Sequence, residues 1–400
     1  MISNIRNFFS NLPLNRGLAY SPKRVVNLSA GCAALPEEVL ERAAAEMNSP
    51  LGKSISVTEM GYRTKDFHTL MDKAESSFRE LMSIPDNYDV HFFNGGATLQ
   101  FAAIPLNLLG ENKDNKSKAT YIMNGHWSEK AVNEANKYTD ATQVCVDPKG
   151  LYFDHPDGKD WNIPQDSTYV HYTSADTRQG FEFQDFCYDS IPKDVTLCCD
   201  ASANLGSKPV DISKYGVIYA AAHKNFSTSG VCYTIIRNDL INDDVHKHTP
   251  TMCNWNVFQH APNKIWNVPV IFSVWLGQLV CEHMLERGGL PYYEDLAIRR
   301  SNTLYNYIDD SDGFYRTFVT DARFRSRMQV VFTIRSGEGR DAHLVEKFIA
   351  EAEGQGWLDV RSHPLGIESD AIRITMYNPQ PIEVVEYIRD FMHEFKKNNM

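Results

Sequence analysis

The sequence predicts an α/β fold: a large domain on a mainly parallel sheet covered on both faces, followed by a smaller α+β domain. Three observations carry this. The runs VTLCC (Val195–Cys199) and VIYAAA (Val217–Ala222) are short, rich in β-branched and small apolar residues, and bounded by polar turns, as strands buried on both faces are. Between such runs lie segments with apolar residues at three- and four-residue spacing, the core face of a helix. Beyond Gly288-Gly289 the chain alternates helix and strand for the length of a compact second lobe.

Taken in order, Pro36 followed by Glu37 and Glu38 starts a helix, with proline in the first turn and acids facing the dipole. Phe67, Leu70, Met71, Ala74, Phe78 and Leu81 mark the next helix by its core face. DVHFF is a strand, and NGGATLQ after it is a glycine turn opening a helix, whose unpaired N–H groups form a ready anion site. ATYIMNG and TYVHYTSA are strands, as is VCYTIIR after Lys224, whereas His246 to Asn267 shows no clear period. A helix from about Pro269 to Arg287 stops at Gly288-Gly289, a candidate hinge. The second lobe then reads as a helix through Tyr293–Ile308, the strand RMQVVFTIR, a helix through Asp341–Gln355, the strand AIRITMY and a helix Ile382–Lys397. The expected division is an extension over 1–25, a segment 26–49 that packs with the small domain, a large domain over 50–287 and the small domain over 288–400.

The composition narrows the function. Forty basic against fifty-one acidic residues give a net charge of −11, which argues against a general affinity for nucleic acid or anionic membranes. No apolar run reaches the length of a membrane span. Any anionic substrate must therefore be held by a local cationic site. The eight cysteines include no CxxC pair and several fall in strand-like runs, so they read as buried thiols of a reducing compartment, with no disulfide framework and no metal site. The first acidic residue is Glu37, while Arg6, Arg16, Lys23 and Arg24 precede it among Ser, Asn and apolar residues. That is the composition of an organellar transit peptide and equally of a disordered arm.

The two buried strands end in charge, the first at Asp200 and the second at His223-Lys224, so a carboxylate and an amine are presented at one sheet edge. That pair suits pyridoxal 5'-phosphate: a lysine forms the Schiff base, and a buried carboxylate keeps the pyridine nitrogen protonated. Alone, the two residues read as readily as a solvated lysine and a turn-forming aspartate. Their surroundings decide the matter. SAGCAALPEEVL, TEMGYRTKDF, IPDNYDVHFFNGGATLQFAAIPLNLL, GHWSEKAVNEAN and DISKYGVIYAAAHKN, in this order, resemble the phosphoserine aminotransferases, which are fold-type I pyridoxal-phosphate enzymes. The resemblance runs from about Val26 to the C-terminal helix.

The resemblance implies roles residue by residue. Lys224 carries the cofactor and Asp200 faces its pyridine nitrogen. Ala97 and Thr98 offer backbone N–H groups to the phosphate, His223 stands where a glutamine would do the same, Trp127 stacks on the ring, and Thr177 reaches the phenolic oxygen. Asn267 reaches the cofactor phosphate of the other subunit of a homodimer with shared active sites. On the substrate side it implies Ser29 and Arg373 at the α-carboxylate and Arg63 at the phosphate. Arg373 draws the same reading from its own setting, since a strand arginine inside IRITMY needs a partner for its guanidinium.

Departures cluster where a second anion would sit. There Tyr62 replaces a histidine and the loop RSHPLGIESD lacks the usual His-Arg pair, leaving Arg361 and His363 as substitutes; elsewhere Cys32 replaces a proline and Val268 a threonine. The expected activity is transfer of an amino group from L-glutamate to 3-phosphohydroxypyruvate, in the cytoplasm or an organellar matrix. The alternatives are a related aminotransferase or lyase acting on a different small amino acid, and a binding protein whose chemistry has lapsed.

Overall fold

The structure is a computed structural model describing residues 25–110, 118–147, 153–337, 339–361 and 371–400. Its centre is a seven-stranded sheet of β1 (Tyr88–Asn94), β2 (Ala119–Ile122), β3 (Thr142–Val144), β4 (Tyr169–Thr173), β5 (Thr196–Asp200), β6 (Val217–Ala221) and β7 (Val231–Arg237). They lie in the order β1-β7-β6-β5-β4-β2-β3. Only β7 runs antiparallel to its neighbours, so the carboxyl ends of the other six strands share one edge. Open α/β sheets bind their ligands at that edge.

Strand geometry sends successive side chains to opposite faces, and two separate cores record it. Cys198, Val217, Tyr219, Tyr121 and Tyr169 pack with the helices Gly96–Leu108 and His126–Ala135. Their neighbours Cys199, Ile218, Ala220, Val170 and Tyr172 pack with the helices Lys65–Met82 and Ile271–Glu286. Neither face meets water, which is why these strands read as continuous apolar runs.

The helix Gly289–Asp309 begins against the large core through Leu290 and Tyr293 and ends in the small-domain core through Leu304 and Ile308. The hinge glycines Gly288 and Gly289 both have positive φ, 106° and 67°, which only glycine adopts without strain. In the small domain the strand Gln329–Ser336 pairs antiparallel with Tyr315–Thr317, Gly339–Arg340 and Ile372–Thr375. The helices Ala342–Gly354 and Ile382–Asn399 pack on that sheet through Val345, Phe348, Ile388 and Phe391.

The expected assignment of segment 26–49 is corrected in part. Val26 and Leu28 do enter the small-domain core, and Val26–Asn27 pairs parallel with Trp357–Leu358. The helix Glu37–Glu46 goes the other way, burying Val39 and Ala43 in the large core. It is held there by Arg42 to Glu282 (2.7 Å) and Arg287 to Glu38 (2.9 Å). A ten-residue helix with two buried side chains has an apolar face that fits either lobe, and sequence does not say which one it meets. The expected extension up to Arg24 lies outside the described residues, and no helix among those described is long and apolar enough to cross a membrane.

Candidate active site

After β6 the chain tightens into a turn in which the N–H groups of Phe226 and Ser227 donate to Ala222 O at 3.1 and 2.7 Å. This turn holds Lys224 at 7% exposure. Burial lowers the pKa of its ammonium, opposed by the charges of Asp200 and Asp176 and reinforced by Arg373, so all four groups share one electrostatic environment. Asp200, 3% exposed, ends the neighbouring strand. Its Oδ1 accepts the Ser202 N–H at 3.0 Å, and the Ser202 hydroxyl accepts the Ala221 N–H at 3.0 Å, which ties the carboxylate's turn to β6. Burial pushes the Asp200 carboxyl above the ordinary range, against the Ser202 hydrogen bonds and the Lys224 charge.

Gly95 and Gly96 turn β1 into its helix with φ of 97° and 64°. The helix has no side-chain cap and no acid in its first turn. A Cβ on Gly96 would meet nothing within 4 Å, so there is room beside the first turn, where the N–H groups of Gly96, Ala97 and Thr98 have no acceptor within the helix. Uncapped donors at the positive end of a helix dipole, with room beside them, make a phosphate cradle.

Trp127 begins another helix at the same edge, and Lys224 Nζ lies 5.9 Å from the centre of its ring. The indole N–H donates to Thr177 Oγ1 at 3.3 Å, and the Trp127 backbone N–H donates to Asp176 Oδ2 at 3.1 Å. Thus Trp127 and Thr177 are brought together. His223 is half-buried beside Gly31, where a Cβ would stand 3.4 Å from its Nε2, and Ala33 N–H donates to His223 O at 2.9 Å. Burial first and Lys224 second lower its pKa to about 4. The imidazole is therefore neutral at physiological pH, where the sequence alone leaves its charge open; a bound anion would act in the opposite direction.

Arg373 is 2% exposed and lies in the strand that pairs with Gln329–Ser336. Its Nη2 meets Asp359 Oδ2 at 3.1 Å, while Nε has no partner among the described residues. Ser29 is half-buried, its N–H donating to Asn27 Oδ1 at 3.0 Å, on the loop whose Ala30 O accepts the Tyr377 hydroxyl at 3.0 Å. The cations expected for a second anion stand apart. Arg63 is exposed, with its guanidinium 4.9 Å from the centre of the Tyr62 ring. Arg361 is gripped at both Nη atoms by Glu346, at 2.5 and 2.6 Å. His363 lies outside the described residues. Asn267 is half-buried between the exposed Trp266 and Val268, and Asn94 Nδ2 donates to Val268 O at 3.1 Å.

The structure adds residues that the sequence reading passed over. Asp176 is fully buried against the start of the Trp127 helix; the signal was an acid three residues beyond a strand end, next to Thr177. Arg178 is half-buried and close enough for its charge to depress the pKa of both His126 and Arg373. Asn225, beside Lys224, accepts the Asn378 N–H at 3.1 Å, joining the small domain to the lysine turn.

Together these groups supply a buried amine, a carboxylate one strand away, an anion cradle, an aromatic face and a buried guanidinium. Pyridoxal 5'-phosphate needs the first four, and the open space before Gly96 is where its phosphate fits. The model of the class-V aminotransferases matches residues 25–388. Phosphoserine aminotransferase of Nitrosomonas europaea is 38% identical over 383 residues, covering 94% of this chain and all of that protein. Chloroplastic phosphoserine aminotransferase 1 of Arabidopsis thaliana is 38% identical over 95% of this chain and 84% of its own length. The crystal structure of phosphoserine aminotransferase from Trichomonas vaginalis with pyridoxal phosphate bound superposes with a TM-score of 0.84 at 30% identity, over 92% of this chain and all of the other. Fold, site and similarity over nearly the whole length agree, and the chain belongs to the class-V aminotransferases and, among them, to the pyridoxal-phosphate-dependent phosphoserine aminotransferases.

Proposed function

We propose that the enzyme exchanges an amino group between L-glutamate and 3-phosphohydroxypyruvate, with Lys224 the residue that holds the cofactor and moves the proton. The observation that carries this is the burial of Lys224 within the field of Asp200 and Asp176, at the sheet edge that also bears the phosphate cradle and Trp127. When bound, pyridoxal phosphate supplies an electron-withdrawing ring that stabilises charge at the substrate's Cα.

The chain's own groups do the rest. Desolvation favours the neutral Lys224 amine, the form that acts as nucleophile and as base. Asp200 gives a pyridinium its counter-charge, which in turn favours its own ionised form against burial. The N–H groups of Gly96, Ala97 and Thr98 bind the phosphate, with the neutral His223 as a further donor. Trp127 gives the ring a flat face, and its N–H occupies a lone pair of Thr177, leaving the threonine hydroxyl hydrogen for the phenolic oxygen. Arg373 offers Nε and the fork beside it to a substrate carboxylate.

The working unit in this reading is a homodimer. Trp266 and Val268, 55% and 60% exposed, flank Asn267 on a segment suited to a second copy, through which Asn267 reaches the other subunit's cofactor phosphate. Residues 1–25 carry targeting information, a reading supported by their basic, acid-free composition.

A second reading, the same chemistry on an amino acid without a second anion, is favoured by one observation: Arg361 is engaged by Glu346 and Arg63 lies exposed on Tyr62. The test is a half-reaction screen with phosphoserine, glutamate, alanine and serine, following loss of the cofactor's visible band. Phosphoserine and glutamate are expected to react fastest. A fast response to alanine or serine with none to phosphoserine establishes the second reading.

A further inference from the structure

We propose that Asp176 is a positioning residue for the cofactor, fixing Trp127 and Thr177 to each other so that ring platform and hydroxyl are presented in one arrangement. The proposal rests on the reading of Trp127 and Thr177 as cofactor contacts. Its observations are independent of that reading. The carboxylate is fully buried, and its two oxygens have separate tasks. Oδ2 accepts the N–H of Trp127 at 3.1 Å, and Oδ1 accepts the N–H of Arg178 at 2.8 Å. The first contact holds the start of the Trp127 helix, and the second closes the turn that carries Thr177. The indole N–H then donates to Thr177 Oγ1 at 3.3 Å. Trp127 is thereby tied at its backbone to residue 176 and at its ring to residue 177.

The neighbouring glycine fits the same device. A Cβ on Gly125 would stand 2.4 Å from Asp176 Oδ2, so the carboxylate fills the space that glycine leaves open. Both oxygens face N–H donors, so an amide cannot replace the carboxylate: an asparagine would set its own NH₂ against one of them. Leaving a buried donor unpaired is costly, and here the donor lies on the element that carries the platform.

The experiment uses the holoenzyme and compares Asp176→Asn, Asp176→Glu, Thr177→Val and Trp127→Ala. The readouts are the visible circular dichroism of bound pyridoxal phosphate, the Kd for reloading the apoenzyme with pyridoxal phosphate, and the Tm of the apoenzyme. Asp176→Asn is expected to weaken reloading roughly tenfold or more, the scale of one charge-assisted hydrogen bond. It is also expected to remove most of the dichroism while lowering the apoenzyme Tm by no more than several degrees. Asp176→Glu keeps both oxygens and should recover affinity and dichroism. Thr177→Val removes the acceptor of the indole N–H without touching the buried carboxylate and should reduce the dichroism, which keeps the test open if the asparagine variant does not fold. Wild-type dichroism and affinity in Asp176→Asn, with both lost in Trp127→Ala, overturn the role of Asp176. If Trp127→Ala also leaves both intact, the reading of Trp127 as the platform fails and the proposal with it.

Discussion

Burial biases Lys224 toward the neutral amine, and the charges of Asp200 and Asp176 oppose that bias. Lys224→Ala is expected to abolish the cofactor's covalent absorbance and to lower turnover by several orders of magnitude, as spectra of the reloaded protein and steady-state rates will show. Asp200→Ala should still take up cofactor through the phosphate cradle but transaminate almost not at all; near-normal turnover would place the ring's counter-charge on another residue. Arg178 gives a third prediction. A half-buried guanidinium near Arg373 suits an anionic substrate, so Arg178→Met should raise KM for phosphoserine well above any change for alanine, with kcat less affected. Lys224 and Asp200 were legible in the sequence because each follows a short apolar run that reads as a buried strand and because the segments around them resemble the phosphoserine aminotransferases; alone, the two residues read as readily as a solvated lysine and a turn-forming aspartate. Asp176 and Arg178 were not legible. The partner of Asp176 is a backbone N–H 49 residues away in the chain, and Arg178 meets Arg373 only because a strand of the other domain passes the sheet edge.

At the level of single elements, the uncapped helix Gly96–Leu108 does more than connect strands. Its first-turn N–H groups carry no side-chain cap, so a negative charge placed there should compete with a phosphate. Ala97→Asp is expected to weaken pyridoxal-phosphate binding by about tenfold, with part of the loss relieved at high salt, measured by equilibrium titration of the apoenzyme. Elements with one buried face, such as Lys65–Met82 and Ile382–Asn399, were readable from helical period, and those buried all round, such as the central strands and Ile271–Glu286, from apolar runs and glycine stops. The strands around Asp200 and Lys224 and the helices Lys65–Met82, Ile271–Glu286 and Ile382–Asn399 fall within a few residues of their expected limits. The helix Glu37–Glu46 was placed on the wrong lobe because its binding face is small and its ion-pair partners, Glu282 and Arg287, come from a helix more than two hundred residues later.

For the molecule as a whole, the interior holds histidines that cannot easily be charged. His91 and His171 are 2% and 1% exposed, and burial lowers both pKa values to about 3, with Lys264 adding to the effect at His91 and Asp89 opposing it. Their folded values lie below the unfolded value near 6.5, so the unfolded chain binds the extra protons. Stability is therefore fullest above pH 6.5 and falls as the pH drops, by roughly 3 kcal/mol for the pair between pH 6.5 and pH 5. Urea unfolding of the apoenzyme at pH 7 and pH 5 checks this, and equal midpoints would contradict it. Assembly gives the last prediction: Trp266→Glu with Val268→Glu should shift the protein to monomers in sedimentation and weaken cofactor retention, because Asn267 then has no neighbouring site to enter. The segment Tyr377–Gln380 adds a consequence for synthesis. Tyr377 reaches Ala30, Gln380 reaches Asn27 and Asn378 reaches both Asn225 and Gly206, while Arg300 holds the carbonyls of Tyr377, Asn378 and Gln380. The contacts with Ala30, Asn27, Asn225 and Gly206 span 153 to 353 residues of chain, so this stretch is made long after the partners it meets. Local elements fold as the ribosome releases them, whereas such distant pairings wait until the later partner has been made. A nascent chain stalled before Tyr377 can already contain the central sheet, but it leaves the lysine turn unbraced, so that turn takes its final setting only once Tyr377–Gln380 has docked.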